Sequence, residues 1–162
     1  MPQDVLKKWK RELERGEITD VDLTKADREQ YLDSGYGSCC LKDRRIADKL
    51  RETLLKWDGE RYQLIAWVIM PNHVHILIRL LGDNLWSEIM HSIKSYTAHQ
   101  ANKILEASGR FWSVESFDRY IRNADHFRNT ISYIEENPVK ARLCKEPEDW
   151  EFSSAFDSDK AD

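Results

Sequence analysis

Two apolar runs, residues 62–70 and 73–80, flank the pair Pro71-Asn72, and no other stretch of this 162-residue chain limits its fold so strongly. Both runs are rich in Ile, Val, Leu and Trp, residue types suited to a pleated and at least half-buried surface. The pair between them marks a tight turn, so the segment is expected to form an antiparallel hairpin. Successive side chains of a strand alternate faces, which sends His73 and His75 to one side and Val74 to the other. Two neighbouring imidazoles on a rigid strand can offer two nitrogen ligands to one divalent metal. A solvated face opposite Val74, Ile76 and Ile78 explains the same spacing, and the spacing alone leaves both readings open.

Helical periods surround this hairpin. Val5, Leu6, Trp9 and Leu13 predict an amphipathic helix over 3–15, ended by Gly16. Thr24 can cap a second helix through about residue 32, Ser34-Gly35-Tyr36-Gly37 reads as a turn, and 38–41 as a short strand. Asp43 opens a third helix with Ile46, Leu50, Leu54 and Leu55 inward, stopped at Asp58-Gly59. A long helix is expected from residue 84 or 85 to about 107, then a strand over 114–121. Asn123 then caps a helix over 124–137. Without repeats or a linker, residues 1–156 read as a single domain and 157–162 as an acidic, fraying tail.

The last of these helices carries a second constellation. Phe127, Ile131 and Ile134 mark its buried stripe. At 100° per residue, Tyr133 and Asn137 lie about 240° and 280° round from Phe127, with His126 and Thr130 in the same sector. This row borders the buried face, where a side chain is held by packing and still meets a ligand. An interfacial tyrosine with its hydroxyl in water fits equally well. Pro138 biases Asn137 away from helical geometry, so a helix end or kink is expected there.

If the two constellations meet, their chemistry is concrete. A divalent cation polarises the oxygens of a phosphodiester. A tyrosine hydroxyl aimed in line can then form a phosphotyrosine and divide a hard transfer into two reversible steps. His73, His75 and the amide oxygen of Asn137 would provide three neutral ligands.

Charge bears on the partner. The net charge is −4, yet residues 40–145 hold 17 basic and 13 acidic side chains, net +4. A basic middle between acidic ends is compatible with phosphate binding. No apolar run approaches the roughly 20 residues of a membrane span. The N-terminal residues lack signal-peptide character, and Cys39, Cys40 and Cys144 form neither a disulfide framework nor a CxxC pair. A cytoplasmic protein with reduced thiols and no membrane partner is therefore expected.

In order and spacing, three segments resemble the single-tyrosine HUH transposases, specifically the REP-associated tyrosine transposases. They are Ala66-Trp67-Val68-Ile69-Met70-Pro71-Asn72-His73-Val74-His75, Phe117-Asp118-Arg119-Tyr120-Ile121-Arg122 and Tyr133-Ile134-Glu135-Glu136-Asn137-Pro138-Val139-Lys140-Ala141. The resemblance continues through Asp149-Trp150 and Ser153-Ser154. It implies an α+β fold, a ferredoxin-like antiparallel sheet packed with helices, and a Mg2+ or Mn2+ ion. It further implies cleavage of single-stranded DNA beside a hairpin through a 5′-phosphotyrosine link. Carried across, His73 and His75 bind the metal, Asn137 is its third ligand and Tyr133 is the nucleophile. Lys94, Arg119, Arg122, Arg128 and Lys140 are the expected phosphate contacts.

Three departures stand out. No apolar strand precedes the first helix, so the sheet is expected to lack its first member. Serines occupy 113 and 116 where glutamine and an aromatic residue are expected, and the overall acidity is unusual for a DNA binder. A missing strand would leave an open sheet edge, which predicts a homodimer through edge pairing or segment exchange. It also motivates one alternative to the enzyme, an inactive hairpin-binding remnant, and a metal hydrolase with no covalent step is a third reading.

Overall fold

The computed structural model describes residues 27–33, 39–114 and 116–156. The helix expected over 3–15, the turn at 34–37 and the tail at 157–162 lie outside them.

Strands β1 (Asp27–Asp33), β2 (Tyr62–Ile69), β3 (His73–Leu80) and β4 (Ser116–Tyr120) form one sheet in the order β2-β3-β1-β4. All three pairings are antiparallel. Helix α1 (Arg44–Lys56) joins β1 to β2, and α2 (Trp86–Leu105) joins β3 to β4. Helix α3 (Ala124–Lys140) follows β4. The βαββαβ succession with the first strand inside the sheet is the ferredoxin-like arrangement.

The expectation of a missing first strand is therefore corrected. The segment assigned to a helix through residue 32 is instead β1, seated between β3 and β4, with Tyr31 opposite His75 and Asp33 opposite His73. Its sequence, Asp-Arg-Glu-Gln-Tyr-Leu-Asp, carries almost none of the alternation that announces a strand. Pairing with an apolar neighbour on one side and β4 on the other overrides that weak local preference. Gln30 and Leu32 are buried. The unpaired edge that motivated the homodimer is accordingly absent at this position. The short strand expected over 38–41 is also corrected, because Cys40–Lys42 form a turn of 3-10 helix.

Elsewhere the local chemistry acts as anticipated. The Asp43 carboxylate accepts the Arg45 amide at 3.0 Å, satisfying one of the orphan donors of the first turn of α1. Pro71-Asn72 closes the β2–β3 hairpin, with the Met70 amide donating to the His73 carbonyl at 2.8 Å.

Two apolar clusters flank the sheet. Val74, Ile76 and Ile78 of β3 join Leu50, Leu54, Ile89 and Ile93 of α1 and α2 on one face. Leu77 joins Ala66 and Val68 of β2, and Met70 just after it, with Phe127, Ile131 and Ile134 of α3 on the other. A bulge in β2 between Leu64 and Ala66 makes both clusters continuous, since the inserted Ile65 switches which residues face which side. Among the described residues no helix is long and apolar enough to cross a membrane.

Candidate active site

The histidine pair occupies the start of β3, on the sheet face that α3 covers. Val74 between them is fully buried in the opposite cluster, which pins the strand and hence the direction of both rings. The ring centroids of His73 and His75 are 5.1 Å apart with their planes at 88°. Nδ1 of His73 lies 2.8 Å from Oδ1 of Asn72. With that oxygen accepting, Nδ1 carries the hydrogen and Nε2 is the ring nitrogen that bears the lone pair. The turn residue Asn72 thus orients an imidazole, a role that its place beside proline did not reveal.

His75 is only 5% exposed. Burial, followed by the charges of His73 and Arg119, lowers its pKa from 6.5 to about 4. At neutral pH the ring is uncharged and keeps a nitrogen lone pair.

Helix α3 brings the second constellation to the same place. The Asn123 side chain accepts the His126 amide at 2.8 Å and starts the helix as expected. Phe127, Ile131 and Ile134 then seat it on the sheet. The Tyr133 ring lies 5.3 Å from that of His75, with the planes at 83°. Tyr133 is nevertheless 42% exposed, so it packs on His75 and faces solvent at once.

Asn137 lies one turn further on and is half-buried. Of the expected helix end or kink, the end is corrected, because α3 runs through Pro138 to Lys140. Burial of Pro138 against the rest of the protein offsets the helix penalty of proline. The other members of the row behave differently. Thr130 is buried, and its Oγ1 has no hydrogen-bond partner among the described residues. His126 Nδ1 accepts the Arg122 amide at 3.1 Å, closing the loop between β4 and α3.

A C-terminal segment fixes the helix to the sheet. The Trp150 indole donates to the Ile69 carbonyl at 3.0 Å, and the Ile69 amide donates to the Phe152 carbonyl at 2.8 Å. Oγ of Ser154 accepts the Trp67 amide at 3.0 Å and donates to Glu135 Oε1 at 2.9 Å. One hydroxyl thereby links β2 to the helix turn that carries Tyr133. Trp150 and Ser154 are in the segments that carry the resemblance, but their sequence gave no sign of this role.

The five expected phosphate contacts are distributed unevenly. Arg119 on β4 is exposed, and its charge acts on His75. Arg122 is exposed at the β4–α3 loop, and Arg128 pairs with Asp125 on the first turns of α3. Lys140 holds Nζ 5.3 Å from the centre of the Tyr133 ring and 3.2 Å from Glu136 Oε2. Lys94 is on α2, across the sheet from the histidines. Burial lowers its pKa, opposed by the charge of Asp118. The site thus gathers Arg119 and Lys140 near its tyrosine and histidines but leaves Lys94 apart.

Among the described residues no three His, Cys, Asp or Glu side chains converge as a metal cluster. The donors present are two imidazoles, one with its Nδ1 hydrogen bonded and one held neutral by burial, with an amide on the facing helix. Such donors fit a divalent cation that completes its shell with water or phosphate oxygen.

Known proteins share parts of this sequence and this fold. A family model described as "Transposase IS200 like" matches residues 36–137. A Haemophilus influenzae protein named as a REP-associated tyrosine transposase is 27% identical over 111 residues, a match spanning 62% of this chain and 63% of that relative. A structure of a REP-associated tyrosine transposase bound to a REP hairpin superposes with a TM-score of 0.65 at 26% identity, covering 80% of this chain and 76% of the other. A crystal structure of a transposase from Deinococcus radiodurans shares the fold, with a TM-score of 0.51 at 20% identity over 70% of this chain and 91% of that one.

Proposed function

We propose that this chain, which belongs to the IS200-like transposase family, binds hairpin DNA and breaks and rejoins one strand beside the hairpin through Tyr133. The contact between the Tyr133 and His75 rings at 5.3 Å carries the reading, because it unites the strand histidines with the one tyrosine that α3 presents to solvent. The hairpin bound to the similar solved transposase supports the choice of substrate.

In the proposed step, the Tyr133 hydroxyl oxygen attacks phosphorus in line. An Oη–P bond forms and the P–O3′ bond breaks. The phenolic proton passes to solvent and the departing 3′-oxygen takes one up. The 5′-phosphate stays on the tyrosine, and attack by a 3′-hydroxyl reverses the process. Phenol has a pKa of about 10, well below that of an alcohol, so the aryl ester is a good leaving group for rejoining.

The chain's contribution is placement. The Phe127–Ile131–Ile134 stripe and the Ser154 link hold the helix, and the half-exposed ring admits an incoming phosphodiester. Mg2+ or Mn2+, held by His73, His75 and the amide oxygen of Asn137, would polarise the phosphoryl oxygens when bound. Two imidazoles are softer than the all-oxygen shells Mg2+ favours, so Mn2+ should bind more tightly.

The remnant alternative rested on a missing strand, and β1 fills that place. The deciding experiment incubates the protein with Mn2+ and single-stranded hairpin oligonucleotides with randomised flanks, then isolates protein–DNA adducts in denaturing gels. An adduct lost in Tyr133→Phe supports strand transfer. Binding without an adduct supports a non-cutting module, and cleavage surviving Tyr133→Phe supports a hydrolase without a covalent step.

A further inference from the structure

Lys140 holds its ammonium over the ring of the candidate nucleophile, and nothing in the metal–tyrosine scheme uses it. Tyr133, Asn137 and Lys140 follow one another at i, i+4 and i+7, forming one continuous strip along α3. Long helical side chains lean toward the N-terminus, and the Lys140 stem does so. Its Nζ comes to 5.3 Å from the Tyr133 ring centre and 3.2 Å from Glu136 Oε2, on a side chain 56% exposed.

An exposed i, i+4 ion pair is a common surface feature and adds little to stability. That account does not explain why the ammonium lies over this ring. An ammonium over an aromatic face keeps part of its hydration and a weak electrostatic partner. A phosphodiester seated for attack by Tyr133 Oη has to bring its non-bridging oxygens beside the same ring. Nζ can then exchange the ring face for a full negative charge in a charge-assisted hydrogen bond. Glu136 keeps the ammonium on this side of the helix before DNA arrives.

We infer that Lys140 is a catalytic residue whose ammonium neutralises a non-bridging oxygen of the scissile phosphate as Tyr133 attacks. The inference rests on the proposed strand transfer. Charge on the phosphoryl group grows most unfavourable where the nucleophile approaches, so a cation fixed at that point acts on the step more than on overall affinity.

The test uses the full chain with Mn2+ and the randomised-flank hairpin pool. Sequencing the adducts defines the scissile position, and the recovered oligonucleotide is resynthesised with either the ordinary phosphodiester or a neutral methylphosphonate there. On the phosphodiester, Lys140→Met is expected to slow adduct formation about 100-fold, the scale of losing one preorganised electrostatic group. Lys140→Arg should recover most of that rate. On the methylphosphonate the wild type and Lys140→Met should differ by less than about threefold, because the charge that Lys140 meets is gone. Hairpin affinity measured by anisotropy in chelator should fall by far less than the rate does, since a single phosphate contact is one of several.

Equal losses on both substrates would overturn the inference, as would an affinity loss that accounts for the whole rate effect. If the wild type forms no adduct with any member of the pool, strand transfer itself fails and the role of Lys140 falls with it. If the wild type reacts and Lys140→Met reacts equally fast, only the role of Lys140 is refuted.

Discussion

Replacing His75 with glutamine tests whether the site is built at the expense of acid stability. The folded protein holds this imidazole at a pKa of about 4 against 6.5 when unexposed to the fold, chiefly through burial. A lowered folded value means that the unfolded chain binds the proton more readily at every pH between the two. The neutral ring therefore costs nothing above pH 6.5, and its penalty grows as pH falls toward 4. Each tenfold preference is worth about 1.4 kcal/mol, so the penalty is about 2 kcal/mol at pH 5 and about 3 kcal/mol at pH 4. Other groups titrate in the same range, so the useful quantity is the difference between the wild type and His75→Gln. Urea unfolding in chelator from pH 7.5 to 4.5 should show the wild type losing stability faster than the variant, by about 2 kcal/mol at pH 5. Parallel pH profiles for the two proteins would refute the reasoning, as would an NMR titration placing the His75 ring near 6.5.

Four further outcomes are expected. Tyr133→Phe should abolish the covalent DNA adduct while hairpin affinity stays within about twofold, since a single exposed hydroxyl contributes little to binding; denaturing gels and anisotropy report the two. His73→Ala and His75→Ala should each weaken Mn2+ binding in calorimetry at least tenfold, in line with the cost of disturbing a metal site; unchanged affinity in both would sink the ligand assignment. Hairpin affinity should fall steadily between about 50 and 200 mM salt if the cations on this surface meet phosphates, and a flat response would place DNA elsewhere. Trp150→Phe removes the donor to the Ile69 carbonyl and should lower stability by about 1–2 kcal/mol in chemical denaturation.

The hairpin, the capped helices and the buried stripe of α3 were legible because each follows from a local rule. Two apolar runs about a turn set the two strands, Asp43 and Asn123 supplied caps, and Phe127, Ile131 and Ile134 recur at helical spacing. Strand β1 was not legible, because Asp27–Asp33 is a strand by virtue of its neighbours rather than its own residues. The bulge at Ile65 was hidden for a related reason, since a run of apolar residues conceals which face each one takes. Within the site, the shared face of His73 and His75 could be read from spacing. Their meeting with Tyr133 depends on how α3 crosses the sheet. Pro138 suggested a helix end where packing carries the helix three residues further, to Lys140.

The order in which the sheet is threaded has a consequence for how the protein is made. The β2–β3 hairpin closes through a two-residue turn and can form while the chain is still short. β1 is synthesised before it but gains its outer partner only when Arg28 can meet Tyr120. Such distant pairing carries a loop-closure cost before any contact rewards it, and chains dominated by it fold slowly. Helix α3 emerges later still, and the Ser154 hydroxyl that ties it to β2 comes after that. A chain that ends before residue 154 would seat the tyrosine helix by its apolar stripe alone, without the hydroxyl that ties it to β2. The last tie on the helix that carries Tyr133 is thus made by a residue synthesised after the helix itself.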